Sequence, residues 1–140
     1  MLVVGLARTG IATSFFCAAR GARVTVTESR PEAEVAEAAA KLRAAGCRLE
    51  LGGHNEATFL DQDLIVPSPG VPADAPLVQA ARAKGIPVWS EIELAWRFLR
   101  GRLIGITGSN GKTTTTSLAA HILEAARFPV ILAGNIGTPV

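Results

Sequence analysis

Ile104-Gly105-Ile106-Thr107-Gly108-Ser109-Asn110-Gly111-Lys112-Thr113-Thr114-Thr115 reads as an apolar strand that runs into a glycine loop and out into a helix. Glycines let the main chain turn tightly enough for successive N–H groups to converge on one anion. The helix that starts there adds the partial positive charge of its N-terminus. Lys112 supplies a mobile full charge for β- and γ-phosphates, and Thr113 a hydroxyl for Mg²⁺. Gly-Lys-Thr directly after an apolar strand therefore points to a nucleoside triphosphate. The alternative, an ordinary glycine-rich turn with a surface lysine, leaves the order of strand, loop and helix without a reason. The loop departs from the common P-loop spacing, because the position five before Gly111 holds Ile106 and the glycines are Gly105, Gly108 and Gly111. That departure weakens a generic kinase or GTPase reading.

Outward from this loop, strand and helix alternate. Leu2–Val4 is an apolar strand, a helix spans roughly Ile11–Arg20 up to Gly21, and β-branched Arg23–Glu28 suits a strand. Pro31 opens an Ala- and Glu-rich helix to Ala45, stopped by Gly46. Further strands are predicted at Arg48–Leu51, Asp63–Pro67, Pro87–Trp89, Arg102–Thr107 and Val130–Ala133. Between them fall helices at Asn55–Leu60, Pro76–Lys84, a segment opened by the Ser90/Glu93 capping-box spacing and running through Leu99, and Lys112–Ala126. Connections of this kind give a parallel α/β architecture.

A second glycine turn, Gly5-Leu6-Ala7-Arg8-Thr9-Gly10, follows the first strand. It resembles a dinucleotide fingerprint with Ala7 at the second glycine, and Glu28 ends the next strand where an acid could accept from a ribose hydroxyl. A methyl at Ala7 crowds a diphosphate. Taken alone, the turn is equally a simple closure of a βαβ unit or a nucleotide site. One sheet seldom carries a phosphate loop near each end of its chain, which places a domain junction near Leu99–Arg102 and gives domains of 1–100 and 101–140.

Composition narrows the classes. Across 140 residues Lys+Arg is 14 and Asp+Glu is 12, a formal net charge of +2, which excludes a strongly basic nucleic-acid coat and an acidic disordered tail. A hydrophobic share of 49% against 19% charged suits a globular chain with its own core. The longest apolar run, Met1–Ala7, falls far short of the roughly 20 residues a membrane helix needs. Cys17 and Cys47 lack metal or redox spacing and read as buried thiols of a cytoplasmic protein. Met1 leads straight into the first strand and the chain ends in a loop, so the sequence reads as a piece of a longer protein.

The two turns together resemble one family. Thr107–Thr115 is similar to the shortened TG-x-x-GK-T/S loop of the Mur ligases, which accounts for Ile106. Gly5–Gly10, Glu28-Ser29-Arg30, Ser68-Pro69-Gly70, Glu91-Ile92-Glu93-Leu94 and Gly134-Asn135-Ile136-Gly137 resemble the member of that family that adds D-glutamate, and Asn110, where the L-alanine-adding member has His, agrees.

The resemblance implies a Rossmann-like parallel-sheet N-terminal domain followed by the start of a P-loop ATP-binding α/β central domain. It implies an ATP- and Mg²⁺-dependent amide ligase of peptidoglycan precursor synthesis, acting as a monomer on UDP-N-acetylmuramoyl-L-alanine and D-glutamate. The substrate carboxylate would take the γ-phosphoryl group, and the D-glutamate amine would then displace phosphate. By that resemblance Leu6, Ala7, Arg8, Thr9 and Gly10 face the diphosphate, and Ser29 and Arg30 lie by the uracil. Ser68 and Asn135 complete the UDP-substrate site. Ser109, Asn110, Gly111, Lys112, Thr113, Thr114 and Thr115 hold ATP, with Lys112 the catalytic charge and Thr113 the metal ligand. The family's remaining acidic Mg²⁺ ligand, its histidine, its carbamylated lysine and its amino-acid-binding domain find no place in this sequence, so the 140-residue chain alone is expected to be inactive. Competing readings are a Mur-type ligase for another amino acid, a non-catalytic nucleotide-binding fragment, and an NAD oxidoreductase, the last disfavoured by Ala7 and by the second loop.

Other polar residues read as structural. His54 is expected to be a hydrogen-bonding loop residue rather than a catalyst, and His121 to sit away from the phosphates. Glu32, Glu34 and Glu37 form a solvated helix face, Glu91 and Glu93 sit as charges at a helix start, and Trp89 and Trp96 are expected to pack.

Overall fold

The computed structural model describes residues 1–134. The chain divides into two compact units, Met1–Arg97 and Phe98–Val140.

The first unit is built on a four-stranded parallel sheet: β1 (Leu2–Val4), β2 (Thr25–Glu28), β3 (Arg48–Leu51) and β4 (Ile65–Pro67), in the order β3-β2-β1-β4. Side chains alternate across a strand, and the register turns that alternation into two cores. Val3 lies between Val26 and Val66, and these three face Cys17, Val35, Leu42 and Leu94. Leu2 and Val4, with Ile65, face Phe59, Val78 and Ala81 on the other side. Helices α1 (Arg8–Ala18), α2 (Glu32–Ala44) and α5 (Glu91–Trp96) therefore cover one face, and α3 (Glu56–Phe59) with α4 (Pro76–Ala83) the other. Central β1 is buried on both sides, hence its unbroken apolar sequence.

Local chemistry sets the ends of the helices. Helix α2 has Glu32 and Glu34 in its first turn and Lys41 and Arg43 in its last, each favourable to the helix dipole. Asn55 caps α3 by accepting from the Ala57 N–H at 2.9 Å, and the Ser90 hydroxyl accepts from the Glu93 N–H at 3.1 Å to open α5. The acids of α2 make the expected solvated face, with Glu32 paired to Arg43 and Glu37 to Lys41.

Several sequence expectations need correction. Helix α1 begins at Arg8 rather than near Ile11, because Gly10 is a helical residue in close contact with Gly5 and not a turn terminator. The strand expected at Pro87–Trp89 is reduced to one parallel bridge, Ile65 to Val88. The Ile65 N–H donates to the Pro87 carbonyl, and the Trp89 N–H donates to the Ile65 carbonyl. The next rung would need an N–H at position 67, which is proline, so pairing stops. Helix α5 ends at Trp96, short of Leu99; Trp96 is exposed, and only Trp89 packs, against the first core and under the Arg97 guanidinium at 3.8 Å.

In the second unit the described element is α6 (Lys112–Ala125). The strands expected at Arg102–Thr107 and Val130–Ala133 do not form among the described residues. A strand needs a neighbour to satisfy its N–H and C=O groups, and among the described residues these apolar segments have none; Ile104 and Ile131 stay exposed at 63% and 89%. Among the described residues, no helix is long and apolar enough to cross a membrane.

Candidate functional site

The first site forms at the C-terminal ends of the parallel strands, where β1 lies between β2 and β4. β1 ends at Gly5, whose N–H donates to the Thr27 carbonyl at 2.8 Å. The chain then turns through Leu6 and Ala7 into α1. Ala7 is the N-cap and has no capping side chain, and no acid occupies the first turn. The first-turn N–H groups, which no helix carbonyl can reach, therefore have neither a capping side chain at Ala7 nor an acid within that turn. Gly10 makes the turn possible: a Cβ there would lie 2.0 Å from the Gly5 carbonyl oxygen. Buried Ser68, at the end of β4, locks the same corner by donating its hydroxyl to the Gly5 carbonyl at 3.3 Å.

Across the loop stands Glu28, the last residue of β2, buried at 6% exposure. Its Oε2 accepts from the Leu6 N–H at 2.7 Å and from Arg30 Nη2 at 3.0 Å. Its Oε1 accepts from Arg30 Nε and Arg30 N–H, both at 3.1 Å, and from the Ser29 hydroxyl at 3.2 Å. Arg30 Nη2 also donates to the Leu6 carbonyl at 3.1 Å. The hydrogen bond from the Arg30 side chain, helped by the two main-chain N–H donors, outweighs burial and holds the Glu28 carboxyl down at about 2, and Glu28 in turn raises the Arg30 guanidinium. Behind them Gly53 donates its N–H to the Glu28 carbonyl, while Thr27 Oγ1 and His54 Nδ1 share a hydrogen bond at 2.7 Å, the loop role expected of His54.

The second site belongs to the other unit. Gly111 is the N-cap of α6 at φ +74°, a left-handed conformation that costs a Cβ-bearing residue and not glycine. No side chain caps this helix and no acid lies in its first turn. Lys112 reaches back over the loop, its Nζ bonded to the Gly108 carbonyl and to the Ser109 carbonyl at 3.3 Å. Thr113, Thr114 and Thr115 are exposed, while Thr116 turns its hydroxyl to the Lys112 carbonyl at 2.7 Å. An uncapped helix start, a left-handed glycine and one lysine charge fit a phosphate chain. The described residues contain no group of three or more acids, histidines or cysteines able to hold a metal. What the loop offers Mg²⁺ is the Thr113 hydroxyl, which suits an ion held mainly by phosphates and water.

Residues 1–90 match the family model described as Mur ligase MurD-like, N-terminal domain. The chain belongs to the MurD-like Mur ligases. Residues 106–140 match the Mur ligase middle domain, so the shortened glycine loop opens the matched region. The chain is 53% identical over 139 residues to the UDP-N-acetylmuramoylalanine–D-glutamate ligase of Koribacter versatilis, covering 99% of this chain and 31% of that one. It is 52% identical to the enzyme of the same name from Anaeromyxobacter dehalogenans, covering 99% of this chain and 30% of that one. The chain thus spans about 30% of the length of the curated relatives it matches. Among solved structures, the UDP-N-acetylmuramate–alanine ligase MurC of Thermotoga maritima superposes with a TM-score of 0.58 at 26% identity, over 90% of this chain and 29% of that one.

Among the residues singled out in this Mur ligase sequence, Leu6–Gly10, Ser29, Arg30 and Ser68 come together at one end of the sheet. Ser109–Thr115 form the loop and first turn of α6. Asn135 lies outside the described residues. Sequence reasoning saw Glu28 only as a ribose acceptor and missed its grip on Leu6 and Arg30. The signal was present only as an acid and an arginine two residues apart at a strand end, close enough to pair once the chain bends after Glu28.

Proposed function

We propose that this chain is the UDP-substrate unit and ATP loop of a cytoplasmic ligase that joins D-glutamate to UDP-N-acetylmuramoyl-L-alanine. The observation that carries the proposal is the pair of uncapped helix starts, one per unit, each entered through a glycine loop and each free of acids in its first turn. In the first unit, the loop Leu6–Gly10 takes the diphosphate, Ser29 and Arg30 meet the uracil, and Ser68 holds the corner. Asn135 is assigned to the muramoyl side. In the second, Ser109–Thr115 bind ATP, Lys112 offsets charge on the phosphoryl group as it moves to the substrate carboxylate, and Thr113 ligates Mg²⁺. ATP supplies the phosphoryl group that makes the carboxylate reactive towards the D-glutamate amine. Identities above 50% with D-glutamate-adding relatives, against 26% with an alanine-adding one, favour D-glutamate over another amino acid. The domain division is placed at 1–100 and 101–140. Because the chain spans about 30% of those relatives, it is expected to bind and not to turn over.

Calorimetric titration of the 140-residue chain tests this. Heat with UDP-N-acetylmuramoyl-L-alanine and, separately, with MgATP supports the proposal. Absence of heat with both at millimolar concentration, or D-glutamate-dependent phosphate release by this chain alone, contradicts it.

A further inference from the structure

We propose that His54 is a positioning residue, held as its Nδ1–H tautomer, that fastens the β3–α3 loop against the strand end presenting Ser29 and Arg30. The inference rests on the uridine-nucleotide reading of the first unit. The loop leaves β3 through Gly52 at φ +83° and Gly53 at φ +153°, two residues with no side chain to hold them. Glycine loses more conformational freedom on ordering than any other residue. Yet this pair makes defined bonds: the Gly52 N–H donates to the Arg30 carbonyl at 2.9 Å, and the Gly53 N–H to the Glu28 carbonyl at 3.1 Å. The main chain on either side of Ser29 is thus backed by a Gly-Gly segment, and the next residue supplies its anchor. His54 Nδ1 lies 2.7 Å from Thr27 Oγ1, which lies 3.2 Å from the Gly53 carbonyl.

These two distances place the ring proton. Thr27 is buried at 1% exposure, and its hydroxyl has one hydrogen to give. The Gly53 carbonyl can only accept, so the hydroxyl donates to it and accepts from Nδ1–H. With the hydroxyl donating to the ring instead, the carbonyl loses its partner and the buried hydroxyl makes one bond in place of two. Buried Phe59 steadies the ring from another side, edge to face with 6.4 Å between centroids. The Thr27 carbonyl meanwhile accepts from the Gly5 N–H at 2.8 Å. One residue of β2 therefore ties both the His54 loop and the first glycine loop to the same strand.

The test uses the 140-residue chain. Ring ¹⁵N spectra at pH 8 should show His54 protonated at Nδ1 and bare at Nε2, and Thr27→Val should abolish that preference; a ring protonated at Nε2 in the unmodified chain overturns the inference. In calorimetry with UDP, His54→Ala and Thr27→Val should each bind more weakly by roughly two- to tenfold, the range of one hydrogen bond between neutral groups. His54→Asn, whose amide can place an N–H where Nδ1–H stood, should recover most of the loss, and the longer His54→Gln should not. A merely structural histidine would lower the urea midpoint and leave UDP affinity within about twofold; that result, or no recovery in His54→Asn, overturns the inference. If Thr27→Val does not fold by circular dichroism, the His54 variants decide on the same affinities. No heat with UDP in the unmodified chain overturns the uridine reading and this inference with it; heat there with His54→Ala unchanged overturns this inference alone.

Discussion

Gly10 and Gly5 approach so closely that a methyl on Gly10 would lie 2.0 Å from the Gly5 carbonyl oxygen, with Ser68 Oγ another 3.0 Å away. The obstacle is main chain rather than a flexible side chain. Gly10→Ala should therefore cost about 2–3 kcal/mol by overpacking, outweighing the ~1 kcal/mol helix-propensity gain of alanine. Urea denaturation should show a lower midpoint with an unchanged slope. Gly70→Ala, where a Cβ meets nothing within 4 Å, is the matched control and should move the midpoint little.

Acid should loosen the first unit through Glu28. Its folded value of about 2 lies below the unfolded carboxylate value of about 4.3. The charged form is thus favoured by folding, and the stabilisation is complete above about 4.3 and lost as pH falls towards 2. Because Arg30 is half exposed, the contribution is on the order of 1–2 kcal/mol. Urea midpoints measured between pH 6 and pH 2.5 should fall less steeply in Glu28→Gln than in the unmodified chain. The surface pairs Glu32–Arg43 and Glu37–Lys41 lower their glutamates in the same direction and add little.

Lys112→Ala should separate the two sites. ATP binding to the 140-residue chain should weaken by about tenfold or more, as expected for a lost charge on phosphate, while UDP binding stays as it was. Equal ATP affinity in the two forms would leave the second loop without its assigned role.

Both thiols should be slow to react. Burial pushes Cys17 and Cys47 up, in Cys17 against the opposing pull of Arg20, and only the thiolate is a nucleophile. Reaction with a disulfide reagent at pH 8 should be slow in the native chain and fast in urea. Rapid labelling under native conditions would show that the core around α1 and α2 opens readily.

The parallel α/β plan was legible because the short unbroken apolar runs at Leu2–Val4 and Ile65–Pro67 and the stops at Gly21 and Gly46 are local signals. The grouping of Leu6–Gly10 with Arg30 and Ser68 came from the family resemblance of those segments, and the parallel strand order is what brings them to one end of the sheet. What was misread depends on partners far away in sequence. Gly10 looked like the last residue of a turn before the helix because its reason, the Gly5 carbonyl, appears only in three dimensions. Ile104 and Ile131 have strand-like neighbours in sequence, yet pairing needs a second strand beside them. Trp96 looked like packing by composition, and its exposure follows from where α5 ends. Glu28 was seen as an acceptor for a ligand because the donors that saturate it come partly from Leu6, 22 residues away.

Pro67 carries a consequence beyond the length of one strand. Its N–H would have pointed away from β1, towards the outer margin where Val88 makes a single bridge. With that donor missing, the margin presents an interrupted row of hydrogen-bonding groups, a poor template for a strand from another molecule. The residue that cuts short the fold's own pairing also guards this side of the sheet against intermolecular β-addition.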